Sequence, residues 1–266
     1  MPDSNDATLS GLAAIMREAG ELAVTTGRGD FKQWTKGHDN SPVSDADIAV
    51  DKLLRARLAT LVPQAGWLSE ETEDVPSARS QAQVWIVDPI DGTRAYLAGF
   101  PDWTISVALV ENGRPRLAAL YAPVTTEMFL AARGKGVTRN GKPIRASAGG
   151  RLAGATVAGP KRYLERLAVL NSAIRPQPKV HSLALRLARV AQGTLDAGLA
   201  SSGSHDWDVA AADLLVHEAG GAVTDFTGRP LSYNRPHTMQ GALLAAGTAR
   251  HAEMIELMRD RLSEFA

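Results

Sequence analysis

Apolar residues recur at helical spacing between Thr8 and Thr26, at Leu9, Leu12, Ile15, Met16, Ala19, Leu22 and Ala23. The spacing predicts an amphipathic first helix, stopped by Gly27 and Gly29. A polar loop follows from Phe31 to Pro42 and carries Lys36, Gly37, His38, Asp39 and Asn40. Periodicity resumes at Ile48, Val50, Leu53, Leu54, Leu58 and Leu61. A second helix is therefore expected from Ser44-Asp45 to just before Pro63. The pattern then shortens to strand-like runs at 66–68, 84–87, 104–110, 117–121 and 127–132, with a tight turn at Asn140-Gly141. Ser147-Ala148-Gly149-Gly150 is small and polar and reads as a junction between halves. Beyond it, strands are expected at 155–158, 195–199, 222–224 and 242–246, and helices at 162–170, 183–191, 207–218 and 249–262. No repeat or low-complexity tract interrupts the series. The pattern implies mixed α and β, with sheets sandwiched between helix layers.

Composition narrows the chemistry more than it changes the architecture. The 266 residues suffice for two modest domains or one large one. Lys+Arg and Asp+Glu both number 29, so no broad field favours nucleic acid or a membrane surface, and anion specificity must be local. Cysteine is absent, which excludes disulfides, thiolate catalysis and zinc–thiolate sites and permits a cytoplasmic location. The polar start Met1-Pro2-Asp3-Ser4-Asn5-Asp6 lacks the form of a signal peptide. No run approaches the ~20 apolar residues that span a bilayer.

Chemistry concentrates at Trp85-Ile86-Val87-Asp88-Pro89-Ile90-Asp91-Gly92-Thr93. An apolar strand broken by Asp88-Pro89 would deliver two carboxylates to its carboxyl end, beside free turn N–H groups. Carboxylates suit hard cations such as Mg²⁺, and free N–H groups suit phosphate oxygens. Asp-Pro and Asp-Gly are also ordinary turn formers. Three further acidic clusters could complete a site: Glu70-Glu71, Asp45 with Asp47, and Asp206 with Asp208. Each has a plainer reading too, Asp45 and Asp206 as helix N-caps and Glu70-Glu71-Thr72-Glu73-Asp74 as a solvated charge run. Together, Glu70, Asp88, Asp91 and Asp208 supply four carboxylates for two or three divalent cations.

Asp88-Pro-Ile-Asp91-Gly-Thr93 and Trp207-Asp208-Val-Ala-Ala resemble the two signatures of the inositol monophosphatase family of Mg²⁺-dependent, lithium-sensitive phosphatases. Ser69-Glu70-Glu71-Thr72 and Val43-Ser44-Asp45-Ala46-Asp47 are similar to two further family elements, and the order fits over residues 8 to 262. The resemblance implies an α+β fold, an αβαβα layered sandwich of the inositol monophosphatase/fructose-1,6-bisphosphatase type, usually homodimeric. It divides the chain into residues 1–147, with most metal ligands, and residues 148–266, with Asp208 and substrate-side groups. By matching position, Glu70, Asp88 and the Ile90 carbonyl resemble ligands of one Mg²⁺, and Asp88, Asp91 and Asp208 those of a second. Asp47 and Thr93, with Glu70, resemble the groups that orient and deprotonate the attacking water. Gly92 and Thr93 N–H groups resemble a phosphate cradle, and Lys36 resembles a mobile-loop lysine near a third metal; it reads equally as a surface lysine.

The ester is less sharply specified. Inositol phosphatases carry a glutamate shortly before Trp-Asp, for the ring hydroxyls; here Leu199-Ala200-Ser201-Ser202-Gly203-Ser204-His205 contains no acid. Arg94 after Gly92-Thr93 is similar to the Gly-Thr-Lys of bacterial 3′(2′),5′-bisphosphate nucleotidases. A guanidinium there could bind a second phosphate bidentately, or form a surface ion pair. Arg186 lies one position beyond a lysine of that branch. The expected activity is therefore removal of the 3′-phosphate from 3′-phosphoadenosine 5′-phosphate, leaving AMP, a clearance step of sulfate assimilation. Inositol-1-phosphate hydrolysis is the alternative, and a silent metal- or phosphate-binding regulator a remote one. His217-Glu218 lacks the second histidine of a zinc HExxH motif, and His205 suits a structural or substrate-rim role.

Overall fold

A computed structural model describes residues 4–27, 32–36 and 41–265, without the side chains of 4, 5, 36 and 41. Helix α1 (Ser4–Thr26) and helix α2 (Asp45–Leu61) flank a two-stranded antiparallel ribbon, β1 (Gln33–Lys36) with β2 (Ser41–Ser44). The expected polar loop is thus partly a hairpin, with Trp34 opposite Val43. Its alternation is too polar to announce a strand. Residues 37–40 and the Lys36 side chain lie outside the described part, and with them the expected role of Lys36.

Seven strands follow as one sheet in chain order: β3 (Gly66–Ser69), β4 (Gln83–Asp91), β5 (Thr104–Glu111), β6 (Arg114–Ala122), β7 (Glu127–Ala132), β8 (Val137–Arg139) and β9 (Lys142–Pro143). Only the β3–β4 pair is parallel. A short helix, α3 (Thr93–Leu97), begins where β4 ends. The remaining elements are β10 (Thr156–Ala158), α4 (Lys161–Leu170), β11 (Arg175–Pro176), α5 (Leu183–Ala191), β12 (Ala197–Ala200), α6 (Asp206–Glu218), β13 (Gly221–Asp225), β14 (Leu243–Gly247) and α7 (Thr248–Met258). Their strands form a second sheet, ordered β11-β10-β12-β14-β13.

Three apolar clusters explain the layering. One lies between α1, α2 and the near face of the seven-stranded sheet. A second joins the opposite face of that sheet to α5 and α6 and, through them, to the smaller sheet. The third covers the far face of the smaller sheet with α4 and α7. The result is the αβαβα sandwich. β4 explains why its sequence is uniformly apolar: Val84 and Ile86 enter the central cluster, while Trp85 and Val87 enter the first. A strand buried on both faces has no polar side to display. Each such side chain contributes roughly 1.5–3 kcal/mol relative to exposure.

Pro89 does not end β4. Pairing with β5 runs from Gln83 to Asp88, slips, and resumes at Asp91 opposite Thr104. The expected break is a bulge, which suits a residue without an N–H. At the C-terminus α7 stops at Met258 and a 3₁₀ turn covers Arg259–Glu264, so the last predicted helix is shorter than its periodicity suggested. Among the described residues, no helix is long and apolar enough to cross a membrane.

Candidate active site

Parallel pairing sets Ser69 of β3 beside Val87 of β4, and the Glu70 N–H donates to the Val87 carbonyl at 3.2 Å. Glu70, just past β3, and Asp88, still paired with Ser106 of β5, therefore stand side by side at the carboxyl end of the one parallel pair of this sheet, the end at which parallel strands place ligands. The bulge then turns the chain so that Asp91 shares the same space. Across the central helix layer, Asp208 enters from the first turn of α6. Ligand oxygens of Asp88, Asp91 and Asp208 all lie within 4.8 Å of one another. Glu70, Ile90 and Thr93 line the same cleft, of about 210 Å³.

Backbone donors hold these acids in position. Asp91 accepts the Ser182 hydroxyl at 2.5 Å, the Ala184 N–H at 2.7 Å and the Leu183 N–H at 3.3 Å, at the start of α5. Asp208 accepts the His205 N–H at 2.6 Å, and Asp88 accepts the Ile90 N–H at 3.0 Å. His205, not Asp206, is the residue before α6; the Asp206 carboxylate instead holds the Asn234 N–H and the Gln240 amide, each at 2.7 Å. Likewise Ser44 precedes α2, and Asp47 accepts its N–H and hydroxyl at 2.7 and 2.6 Å. The expected N-cap roles of Asp45 and Asp206 thus fall to their neighbours.

The electrostatics are those of crowded, dry acids. Loss of water pushes Asp88 and Asp208 well above the usual carboxylate range, and the negative charges of Glu70 and Asp91 push both further. Burial raises Asp91 as well, against its hydrogen bonds to Ser182 and the α5 N–H groups. Asp47 is raised to about 6, first by burial. The described hydrogen bonds of Asp88, Asp91 and Asp208 come from backbone N–H groups and the Ser182 hydroxyl, and Arg186 acts on Asp91 through its charge. Hard divalent cations are the partners that such an oxygen set fits.

Thr93 stands between two acceptors, the Ile90 carbonyl at 3.0 Å and Asp47 Oδ1 at 3.4 Å. Gly92 before it has φ +91°, and a β-carbon there would crowd Ser182 N at 3.2 Å and the Asp102 carbonyl at 3.4 Å. Only glycine allows both the turn and the close approach of α5.

A larger cavity of about 870 Å³ adjoins the cleft; Arg94, Lys179, His181 and Asp208 line both. Lys161, Arg186 and Ser201–Ser204 complete the outer wall. Arg186 is buried, donating to the Leu199 and Val180 carbonyls at 2.8 and 2.7 Å, while Arg94 is exposed. His205 stacks on Trp207 and bonds Thr238 through Nδ1 at 3.0 Å, in keeping with a structural role.

The sequence reading overlooked three supports. Asp51 accepts the Ser69 and Thr72 hydroxyls, fixing both ends of the turn that carries Glu70. An acid on the buried face of α2, four residues after Asp47, was the available signal. Ser182 was legible only as a helix N-cap, and Lys179 carried no signal.

Residues 5–262 match the model of the inositol monophosphatase family. The chain is 31% identical over 258 residues to Nus factor SuhB of Escherichia coli, covering 93% of this chain and 94% of that protein. It superposes with TM-score 0.84 on the extragenic suppressor protein suhB from Bartonella henselae, at 29% identity over 96% of this chain and 99% of the other. An IMPase from Thermotoga maritima gives TM-score 0.84 at 26% identity, covering 97% and 99%. With signatures, layers and clustered acids in agreement, the chain belongs to the inositol monophosphatase family and is a metal-dependent phosphatase.

Proposed function

We propose that this phosphatase is a Mg²⁺-dependent 3′(2′),5′-bisphosphate nucleotidase that converts 3′-phosphoadenosine 5′-phosphate to AMP and phosphate. The carrying observation is the cavity beside the acidic cleft. Arg94, Lys161, Lys179 and Arg186 line it against one carboxylate, Asp208. A substrate with a second phosphate has cations to meet there. A polyol does not gain equivalent acceptors, because the Ser201–Ser204 wall has no acid.

In this reading the first half of the chain, 1–147, supplies Asp47, Glu70, Asp88, Ile90, Asp91 and Thr93, and 148–266 supplies Asp208. Glu70, Asp88 and the Ile90 carbonyl would hold one cation, and Asp88, Asp91 and Asp208 a second, with two to three in each site; Mg²⁺ held there would supply charge to offset the ester dianion and to make water a better nucleophile. The Thr93 hydroxyl passes its proton to Asp47 and takes one from the attacking water, with Glu70 orienting that water. N–H groups of Gly92 and Thr93, at the α3 start, face the phosphate oxygens. Arg94 and Lys179 meet the second phosphate.

Inositol-1-phosphate hydrolysis is the second reading, favoured by the IMPase name of the Thermotoga maritima protein. The two separate on kcat/KM for adenosine 3′,5′-bisphosphate and inositol 1-phosphate with Mg²⁺. The bisphosphate should be preferred. Arg94→Thr should lower its kcat/KM about tenfold and that of the monoester less than about threefold. A preference for inositol phosphate overturns the proposal; equal losses remove Arg94 from it.

A further inference from the structure

Of the three clustered acids, Asp208 alone comes from the second half of the chain, so its place beside Asp88 and Asp91 depends on how α6 is seated. Apolar packing against the seven-stranded sheet chooses the buried face of α6. Such packing is non-directional and fixes the axial position of a helix poorly. Hydrogen bonds at the helix start supply that. The segment 234–240 grips Asp206, the first residue of α6, at three points. The Asn234 N–H and the Gln240 amide each donate to its buried carboxylate at 2.7 Å, and the Asp206 N–H donates to the Thr238 carbonyl at 2.9 Å.

A side chain of the first half holds that same segment. Arg79 ends the 3₁₀ turn Pro76–Arg79 between β3 and β4 and is only 4% exposed. Its Nε and Nη2 donate to Asp74 at 2.5 and 2.8 Å, within the connection that begins at Glu70. Nη1 donates to Asn234 Oδ1 at 3.1 Å and to the Arg235 carbonyl at 2.9 Å, and Nη2 reaches the Pro236 carbonyl at 3.4 Å. Asn234 Nδ2 donates in return to the Arg79 carbonyl at 3.0 Å. All five guanidinium N–H groups are thereby used. A lysine, with three donors at one point, cannot span the same acceptors.

We infer that Arg79 is a positioning residue: through Asn234 and Asp206 it seats the start of α6 and so sets the place of Asp208 in the cation site. The inference rests on Asp208 holding a cation, as proposed above, and is independent of which ester is cleaved. A bare positive charge at this place would act in the opposite sense, since it repels Mg²⁺. The sign of the effect therefore separates a geometric role from an electrostatic one.

Titration calorimetry of Mg²⁺ into metal-free protein, without substrate, reads that sign. Arg79→Met and Arg79→Lys should each weaken Mg²⁺ binding about tenfold, the scale of loss when a group supporting a metal ligand is removed. The Mg²⁺ concentration for half-maximal turnover should rise by the same factor. Asn234→Gly keeps the left-handed backbone (φ +56°) and the N–H on Asp206 but deletes both side-chain contacts with Arg79. It should weaken Mg²⁺ by a smaller factor, and the double variant with Arg79→Met should be no worse than Arg79→Met alone. Tighter binding in Arg79→Met with Arg79→Lys unchanged makes the residue a charge and overturns the inference. Wild-type affinity in folded variants that only melt lower makes it structural and overturns it equally. Should Arg79→Met fail to fold, Asn234→Gly decides, and wild-type affinity there overturns the inference. Asp208→Asn, run alongside, separates the two layers. Undiminished Mg²⁺ binding by that variant removes the cation site and this inference with it. Weakened binding there, with Arg79→Met at wild-type affinity, overturns the role of Arg79 alone.

Discussion

The acidic cleft and the basic cavity share a wall and are built on opposite principles. The cleft draws on strand ends and helix starts, and its clustered acids, Asp88 and Asp91 buried and Asp208 half-buried, are tied to backbone N–H groups. Cations of the cavity come from scattered positions: exposed Arg94, Lys161 at the start of α4, Lys179 in a loop, and buried Arg186. Backbone-anchored acids cannot move without unpairing a buried donor, a loss of about 1–3 kcal/mol each. Exposed lysines and arginines can be exchanged at little cost to the fold. On the proposed reading the chemistry belongs to the cleft, and the identity of the ester is left to the cavity.

Removing one acid breaks this contrast most severely. Asp88→Asn retains an oxygen for the Ile90 N–H and deletes a buried charge that Glu70, Asp91 and Asp208 disfavour. Mg²⁺-dependent kcat should fall by at least about a thousandfold. Without Mg²⁺ the variant should melt about 2–4 °C above wild type, since even 1 kcal/mol moves a chain of this size that far. Opposite signs for activity and stability are the signature of an acid kept for function. A variant that loses both equally would mean that Asp88 is structural.

The same contrast explains what could be read from the chain. Asp88, Asp91 and Asp208 stand out because local sequence builds their geometry: an apolar run, a turn, a helix start. The expected role of Thr93 comes from the family resemblance. Sheets between helix layers follow from the alternation of strand and helix patterns, and the αβαβα order from that resemblance. Asp51 and Ser182 were harder, since each acts on a residue distant in sequence, Ser69 and Asp91. The Asp102–His181 hydrogen bond, 2.7 Å from Oδ2 to Nδ1, is illegible, because the two residues meet only where the start of α5 packs beside β5. The β1–β2 ribbon escaped because its strands are short and mostly polar.

A finer cut within the cleft concerns water activation. Thr93→Val removes the hydroxyl that lies between Asp47 and the Ile90 carbonyl while conserving volume. General-base contributions of this kind are worth about 10²–10⁴-fold, so kcat should drop by about a hundredfold with KM changed little. Asp47→Asn should reproduce the loss, and the double variant should be no worse than the poorer single. Losses that multiply would show that the two residues do not act as one unit.

The smallest effect is in the pH dependence of stability, and it isolates the cleft from the rest of the molecule. Asp88, Asp91 and Asp208 are raised, and Asp47 and Asp206 lie at about 6 against an ordinary 3.8. A carboxyl raised on folding favours the folded state most when protonated. Its contribution is lost as pH climbs from the unfolded value, near 3.8, through the folded one. Metal-free protein should therefore lose stability from about pH 4 through 6 and beyond. Histidines also titrate in this range: His217 is raised by Asp213 and loses stabilisation with rising pH, whereas burial lowers His251 and works the other way. Neither is among the clustered acids, so their effects cancel in a comparison made with and without Mg²⁺. The difference in Tm between saturating Mg²⁺ and EDTA should be near zero at pH 4.5 and widen by several degrees by pH 8, because cations bind the ionised cluster. Asp88→Asn should flatten that widening, whereas Arg94→Thr, a change confined to the cavity wall, should leave it intact. Parallel melting curves across the whole range would mean that the acids do not gather a cation, and the distinction between a cleft for chemistry and a cavity for selectivity would lose its physical basis.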